Sequence, residues 1–370
     1  MRTLYEFFAG GGMARIGLGP GWRCVFANDF DAKKGAAYRA NFGHDHLMVP
    51  DVVDLTAADL PGHPDLVWAS PPCQDISLAG KGAGLDGSRS GSFWPWWRLM
   101  QRLVAEGRAP RVIVIENVAA LITSSKGADF CAMARALAEA GYVFGALVID
   151  ASLFVPQSRE RLFIVAVRAD ASLPPELTPD GPMAPFQTPA LRKAVANLPP
   201  PLRASWRWWR LPTPPLCNVS LLDILELEAR CDEEMETRRL FELMEPAHRA
   251  KVAAAMLDGG IAVGAICRRT RQGQQRAEVR FDGVAHALRT PGGGSSIQRF
   301  LLVDSNGALS SRRPTPRECA PLMGLPDEYK LPSSTTDTYW LTGDGVVVPV
   351  VRWLASNLLE PIVTFGQAVR

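Results

Sequence analysis

Cys73 stands in Ala69-Ser70-Pro71-Pro72-Cys73-Gln74, directly after the apolar run Asp65-Leu66-Val67-Trp68. The run predicts a short buried strand, and the two prolines fix the backbone after it into a stiff turn. A thiol held past the carboxyl end of a strand sits where open α/β sheets carry their ligands. As a thiolate it would be a nucleophile. Most lone cysteines are small buried apolar residues, so this stretch alone does not decide for the nucleophile. A second buried run, Arg111-Val112-Ile113-Val114-Ile115, delivers Glu116 to the same edge. Further on, Gln157-Ser158-Arg159-Glu160-Arg161 leads into the strand Leu162–Val167. Arg159 and Arg161, two apart on an extended chain, are expected to point to one side.

The elements that must position these groups begin at the N-terminus. Thr3–Phe8 reads as a first strand, running into Ala9-Gly10-Gly11-Gly12 and then the helical Met13–Leu18. Strand, glycine loop and helix open a nucleotide-binding sheet, the glycines letting backbone approach a ligand. The loop is not a full dinucleotide fingerprint, because Arg15 takes the last glycine's place, and no Gly-Lys-Ser/Thr marks a phosphate loop. The next strand, Trp22–Ala27, ends in Asn28-Asp29, with Asp29 17 residues beyond Gly12. That is near the spacing of about 20 for a carboxylate on ribose hydroxyls, and Phe30 beside it is placed to lie on an adenine face. His46–Val49 is strand-like and ends at Pro50-Asp51-Val52. Gly80–Ser92 is rich in glycine and charge and reads as a lid or a plain connector. Phe93–Glu106 is helical, its Trp94, Trp96 and Trp97 set for packing; helix Ala128–Ala140 and strand Tyr142–Ile149 follow.

From about Ala169 prolines punctuate the chain and long periodic runs vanish, which marks a domain boundary. Residues 181–313 hold 19 Lys and Arg against 13 Asp and Glu, whereas the remainder holds 21 against 25. A basic insert in a mildly acidic body suits a polyanion partner. Within it, Arg203–Arg210 interleaves arginine with tryptophan, for nucleic acid or for packing, and Leu221–Leu257 reads as one or two amphipathic helices. Arg268-Arg269-Thr270-Arg271-Gln272-Gly273-Gln274-Gln275-Arg276 gathers side chains able to pair with guanine and adenine edges. Seven scattered cysteines without a CxxC pair suggest neither disulfides nor zinc, and they fit a reducing cytoplasm. His44 and His46 read as surface loop, so no metal site is expected. Neither a signal peptide nor an apolar run long enough for a bilayer is expected.

Taken together, these pieces resemble the DNA cytosine-5 methyltransferases that use S-adenosylmethionine. Phe8-Ala9-Gly10-Gly11-Gly12 resembles the family's FAGxGG loop and Asn28-Asp29-Phe30-Asp31 its NExD. Pro72-Cys73-Gln74 resembles its PCQ, Glu116-Asn117-Val118 its ENV, and Gln157–Arg161 its QxRxR. Arg313–Ala320 with Met323–Asp327 resembles its late TPRECARLMGFPD block. The motifs follow in the family's order over nearly all of 1–168 and 286–370.

The resemblance implies a doubly wound, Rossmann-like α/β methyltransferase domain over 1–180 and 310–370. A smaller mixed target-recognition domain would occupy 181–309, and the C-terminal helix Val348–Leu359 would pack on the first half. It implies catalysis by Cys73, Glu116, Arg159 and Arg161. Cys73 would add to carbon 6 of a flipped cytosine, Glu116 would bond or protonate nitrogen 3, and the arginines would orient base and carboxylate. S-adenosyl-L-methionine would lie on Phe8, Ala9, Gly10, Gly11, Gly12, Asp29, Phe30, Asp51, Val52, Ser70, Pro72, Asp344, Gly345 and Val346. Duplex DNA would meet Gln74, Ser88, Arg89, Arg268, Arg269, Arg271, Gly293 and Gly294. A monomeric state and a cytoplasmic location are further expectations, and the sequence leaves open a cognate restriction endonuclease or a solitary methyltransferase. Three departures stand out: Asp29 replaces the usual Glu, Gly343-Asp344-Gly345-Val346 replaces GNxV, and residues 181–285 carry no family match. The last is expected of the target-reading region, whose glycine-rich end Leu288–Ser295 does resemble. Asp344 would either face the cofactor's ammonium or hold its own turn, the second being favoured because Asp before Gly commonly does so. An RNA cytosine methyltransferase and a DNA-binding protein on a decayed scaffold are the competing readings; the intact motifs and the large basic insert weigh against them.

Overall fold

A computed structural model describes residues 1–72 and 92–368. Cys73, Gln74, Ser88 and Arg89, with the expected lid as far as Gly91, lie outside the described residues. In chain order the strands are β1 (Arg2–Phe7), β2 (Trp22–Asn28), β3 (Leu47–Met48), β4 (Leu66–Ala69), β5 (Val112–Val118), β6 (Tyr142–Asp150), β7 (Gln157–Ser158) and β8 (Glu160–Arg168). They continue as β9 (Ala262–Arg271), β10 (Gln274–Arg280), β11 (Ala285–His286), β12 (Arg299–Val303) and β13 (Leu309–Arg312). The helices up to residue 204 are α1 (Met13–Leu18), α2 (Ala32–Phe42), α3 (Phe93–Ala105), α4 (Ala128–Glu139), α5 (Pro189–Ala196) and α6 (Pro200–Ala204). After them come α7 (Glu234–Glu242), α8 (Pro246–Leu257), α9 (Pro316–Leu322), α10 (Thr335–Asp344), α11 (Val348–Leu354) and α12 (Glu360–Ala368).

The chain forms two compact units. The first comprises Met1–Ile149, Glu160–Thr213 and Val350–Arg370. Its seven-stranded sheet has the order β3-β2-β1-β4-β5-β8-β6. Neighbours from β3 to β5 run parallel, and β8 runs antiparallel to β5. Strands this apolar, such as Val112–Ile115 at 0–1 % exposure, need cover on both faces, and this is the doubly wound α/β arrangement expected. The register aligns the strand ends: Phe7 pairs with Asn28 and with Ala69, and Ala69 with Ile115. Phe8, Asp29, Ser70 and Glu116 therefore each follow directly on that row.

Packing settles the ambiguous tryptophans. Trp96 and Trp97 are buried, and Trp96 meets Phe7 edge-on. Trp206 and Trp209 are buried too, and Trp209 Nε1 donates to the Val165 carbonyl at 3.3 Å. Backbone bonds join Phe144 to Ser205 and Arg207. Gly145 is required there, because a Cβ would lie 2.0 Å from the Arg207 carbonyl oxygen. The Arg–Trp stretch is thus a packing element against β6. The C-terminal helices return to this unit, as expected: Arg352 bonds the Leu18 carbonyl and Glu360, and Trp22 Nε1 donates to Glu360 at 3.3 Å. The expectation of no bilayer-length apolar run needs correcting, since Thr335–Phe365 passes by length and composition. It is broken at Gly345–Val347, and 67 % of its most apolar window is buried inside the protein, which marks it as core.

The second unit comprises Asp150–Arg159 and Pro214–Pro349. An antiparallel sheet, β10-β9-β12-β13, packs α7 and α8 through Leu240, Met244, Val252, Ile266, Ala277, Val279 and Leu301. Gln272 and Gly273, both at positive φ, make the two-residue turn of the β9–β10 hairpin. Arg312 forks onto the fully buried Glu318 at 2.5 and 2.6 Å, which also caps α9.

These units divide the chain differently from the expected 181–309 insert. Residues 181–213 join the first unit because Phe186, Trp206 and Trp209 pack there. Residues 310–349 join the second, because β13 pairs with β12 and Arg312 ties β13 to α9. The amphipathic reading of Leu221–Leu257 holds only for α7 and α8. Before them only Leu222–Ile224 forms a single 3-10 turn, and Asp232 is drawn to Arg299 instead of into a helix.

Candidate active site

Beyond the aligned strand ends lies the chemistry of the first unit. Asn117, 4 % exposed, donates from Nδ2 to the Pro71 carbonyl at 3.2 Å. Its Oδ1 accepts from the Val118 amide at 2.9 Å. It therefore ties the end of β5 to the Pro71-Pro72 turn that leads to Cys73. Sequence reasoning gave Asn117 no role of its own; its place directly after Glu116, pointing to the opposite side, was the available signal.

Glu116 is 6 % exposed, and Arg161 Nε lies 3.2 Å from its Oε1. β8 brings Arg161 opposite Val118, two residues from Glu116, so the antiparallel register sets this pair. Arg159 has a different set of partners from Arg161. It belongs to neither β7 nor β8. In the second unit its guanidinium donates to the carbonyls of Leu288 at 2.9 Å, Gly343 at 2.9 Å and Gly345 at 2.8 Å.

The glycine loop is a strained turn at the end of β1, with positive φ at Phe8, Gly10 and Gly12. Gly12 has no room for a Cβ, which would lie 2.3 Å from the Phe42 ring. At Gly10 a Cβ would meet nothing within 4 Å, so the loop's outer side is open. Asp29 holds the loop: Oδ2 accepts from the Gly10 amide at 2.7 Å and Oδ1 from the Asp31 amide at 2.9 Å. Burial pushes its carboxyl above the usual range, against the pull of Lys34 and the two amides. Phe30 is 64 % exposed beside it. Asp51 caps the turn Val52–Asp54, and the Ser70 hydroxyl accepts from Trp68 Nε1 at 3.1 Å. An open glycine cradle, an exposed aromatic ring and two carboxylates at one sheet edge fit an adenosyl cofactor.

Beneath the loop is a buried polar cluster that the sequence did not reveal. Glu6, 1 % exposed, accepts from the Arg15 amide at 3.2 Å. Burial raises its carboxyl to about 8, opposed by Arg15 and Tyr38 and reinforced by Asp29. Tyr38 OH bonds Arg15 at 3.1 Å and His46 Nε2 at 3.1 Å. His46, expected as surface loop, is half-buried here, with its pKa lowered by burial and by Arg15.

In the second unit, Arg269 and Arg271 flank Glu278 across the β9–β10 hairpin, at 3.5 and 3.2 Å. The Arg268 guanidinium is lowered by burial and by Arg299. Gly293 and Gly294 lie in a 3-10 stretch, Pro291–Ser296, which breaks at Gly294. Asp344 ends α10 and is exposed, Gly345 follows as its cap, and Val346 is buried.

A family model for the C-5 cytosine-specific DNA methylase matches residues 2–360. Among curated relatives, the Type II methyltransferase M.HhaI of Haemophilus parahaemolyticus is 26 % identical over 95 % of this chain and 93 % of its own. M.HpaII of Haemophilus parainfluenzae is 26 % identical over 97 % and 90 %. Among solved structures, the Dnmt2 methyltransferase of S. pombe shares the fold with a TM-score of 0.63 at 20 % identity, over 98 % of this chain and 99 % of its own. The strand row, the Glu116–Arg161 pair and the family match over 2–360 agree, and the chain belongs to the C-5 cytosine-specific DNA methylase family.

Proposed function

We propose that the protein methylates carbon 5 of cytosine in duplex DNA. The Glu116–Arg161 pair beside the Pro71-Pro72 turn carries this reading. Cytosine carbon 5 attacks a sulfonium methyl poorly until a nucleophile adds at carbon 6, and Cys73 is the residue that adds. Glu116 bonds ring nitrogen 3 and shares a proton with it, which relieves the charge that addition builds up. Arg161 fixes the Glu116 carboxylate and offers its remaining donors to the base. The target has to leave the stack, since neither ring face is reachable within a duplex.

S-adenosyl-L-methionine, when bound, would supply the methyl group and leave as S-adenosylhomocysteine. A base then takes the carbon-5 proton and the Cys73 thiolate is expelled from carbon 6, which restores the aromatic ring. Phe8–Gly12, Asp29, Phe30, Asp51, Val52, Ser70 and Pro72 would hold it, with Asp344–Val346 assigned by resemblance. The basic hairpin with Arg268, Arg269 and Arg271 would meet DNA, as would Gln74, Ser88, Arg89, Gly293 and Gly294. We propose a cytoplasmic monomer, with a cognate restriction endonuclease as its counterpart. Bisulfite sequencing of DNA from a methylation-free host expressing the protein should show methylcytosine in one short sequence context. Unmethylated DNA would refute the activity.

A further inference from the structure

The QxRxR-like stretch divides at the boundary between the two units, and its first half has a job that neither the resemblance nor Arg161 explains. Gln157 is fully buried; its Nε2 donates to the Leu322 carbonyl at 2.6 Å and its Oε1 accepts from the Leu288 amide at 2.8 Å. Arg159, 4 % exposed, takes the Leu288 carbonyl through Nη1, and the Gly343 and Gly345 carbonyls through Nη2. Leu322 is the last residue of α9, and Gly343 lies in the last turn of α10. Carbonyls there have no partner inside their own helices, and a cation at a helix C-terminus is favourably placed. Two side chains two residues apart thus satisfy the ends of both helices and grip both polar backbone groups of Leu288. β7 supports them by pairing with β11, Gln157 to Ala285 and Ser158 to His286.

The fit is close on the other side. A Cβ on Gly343 would lie 2.5 Å from the Thr290 amide nitrogen, so the α10 terminus rests directly on residues 289–290. Removing the guanidinium would strand three carbonyls, two of them flanking Asp344.

We propose that Gln157 and Arg159 are positioning residues: a clasp that fixes the Gly343–Gly345 turn to the Leu288–Thr290 segment. The clasp makes one rigid body of the turn assigned to the cofactor and the glycine-rich end of the target-reading region. It acts on binding and not on the chemistry of the base, and this consequence rests on the function proposed above.

The test compares Arg159→Lys, which keeps the charge and loses the fork, with Arg161→Lys and with Gly343→Ala, which disturbs the clasp from the opposite side. Hydrogen exchange on the ligand-free protein should show peptides 285–291 and 341–347 losing protection together in Arg159→Lys and Gly343→Ala, but not in Arg161→Lys. Calorimetry should show S-adenosylhomocysteine binding about tenfold weaker in those two variants. At saturating cofactor, methyl transfer to DNA should fall no further in Arg159→Lys than in Gly343→Ala, and should collapse in Arg161→Lys. Unchanged exchange and cofactor affinity in Arg159→Lys with a hundredfold lower kcat would make Arg159 a base contact and overturn the clasp. If Arg159→Lys does not fold, normal exchange in Gly343→Ala overturns it equally. Wild-type protein that binds no S-adenosylhomocysteine would instead refute the cofactor assignment, and the exchange result would still decide the clasp.

Discussion

Arg161 Nε lies 3.2 Å from Glu116 Oε1 because the antiparallel pairing of β8 with β5 places Arg161 two residues beyond the carboxylate's partner. The pair depends on the sheet register, not on the flexible reach of either side chain. A Glu116→Gln variant keeps the size and can no longer exchange a proton with ring nitrogen 3 as an acid or base. General acid–base contributions of about 10²–10⁴ predict a comparable fall in single-turnover methyl transfer. S-adenosylhomocysteine affinity, measured by calorimetry, should stay as in wild type. A variant that transfers methyl at near wild-type rate would remove Glu116 from the chemistry.

Asp29 holds the Gly10 and Asp31 amides together, so its loss should loosen the cradle as well as any ribose contact. Hydrogen bonds to a charged group are worth about 1.5–3 kcal/mol, so Asp29→Ala should weaken cofactor binding about tenfold or more. Asp29→Asn keeps an acceptor and should lose less. Titration calorimetry on both variants checks this, and equal affinity in Asp29→Ala and wild type would contradict it.

Glu6 gives a pH signature. Its carboxyl is raised to about 8 in the folded protein, above its ordinary value of 4.5. A group raised on folding favours the protonated native state, so its contribution is complete below about 4.5 and lost as pH rises through about 8. Denaturant unfolding should therefore show wild type losing stability between about pH 4.5 and 8 and levelling off above that, by a few kcal/mol from the size of the shift. Glu6→Gln should flatten that slope. Parallel pH profiles for the two proteins would mean that Glu6 is charged in the native state.

Much of this was legible in the chain. The apolar runs before Asp29, Cys73 and Glu116 gave the parallel strands, since a strand buried on both faces has to be continuously apolar. The glycine loop gave α1, and the spacing of motifs gave the family. The bonds of Arg159 were illegible, because its partners Leu288, Gly343 and Gly345 lie far along the chain and no local pattern records them. His46 and Glu6 were illegible: their burial depends on Tyr38 and Arg15, brought in by α2 and α1, and no local pattern records that. The Arg–Trp stretch was open between two roles until β6 was seen to cover it. The unit boundaries escaped because the ion pair Arg312–Glu318 and the packing of Trp209 join segments with no compositional link.

The hairpin arginines separate base reading from phosphate binding. Arg269 and Arg271 share Glu278 and remain partly exposed on the hairpin. At least one of Arg268→Ala, Arg269→Ala and Arg271→Ala should relax specificity at a single base pair, at a cost of about 1–3 kcal/mol. A phosphate-binding arginine would instead weaken every sequence alike and lower the salt slope by about 1. Uniform loss across sequences for all three variants would contradict base reading.

The central claim is covalent attack by Cys73 on cytosine carbon 6, and duplex DNA carrying 5-fluorocytosine tests it most directly. Fluorine cannot leave as a proton does, so the adduct should persist and migrate as a stable protein–DNA complex in denaturing gels, with the crosslink mapping to Cys73. Cys73→Ala should form none while still binding the same DNA. An adduct that survives Cys73→Ala, or none from wild type that does methylate the unsubstituted DNA, would contradict the account.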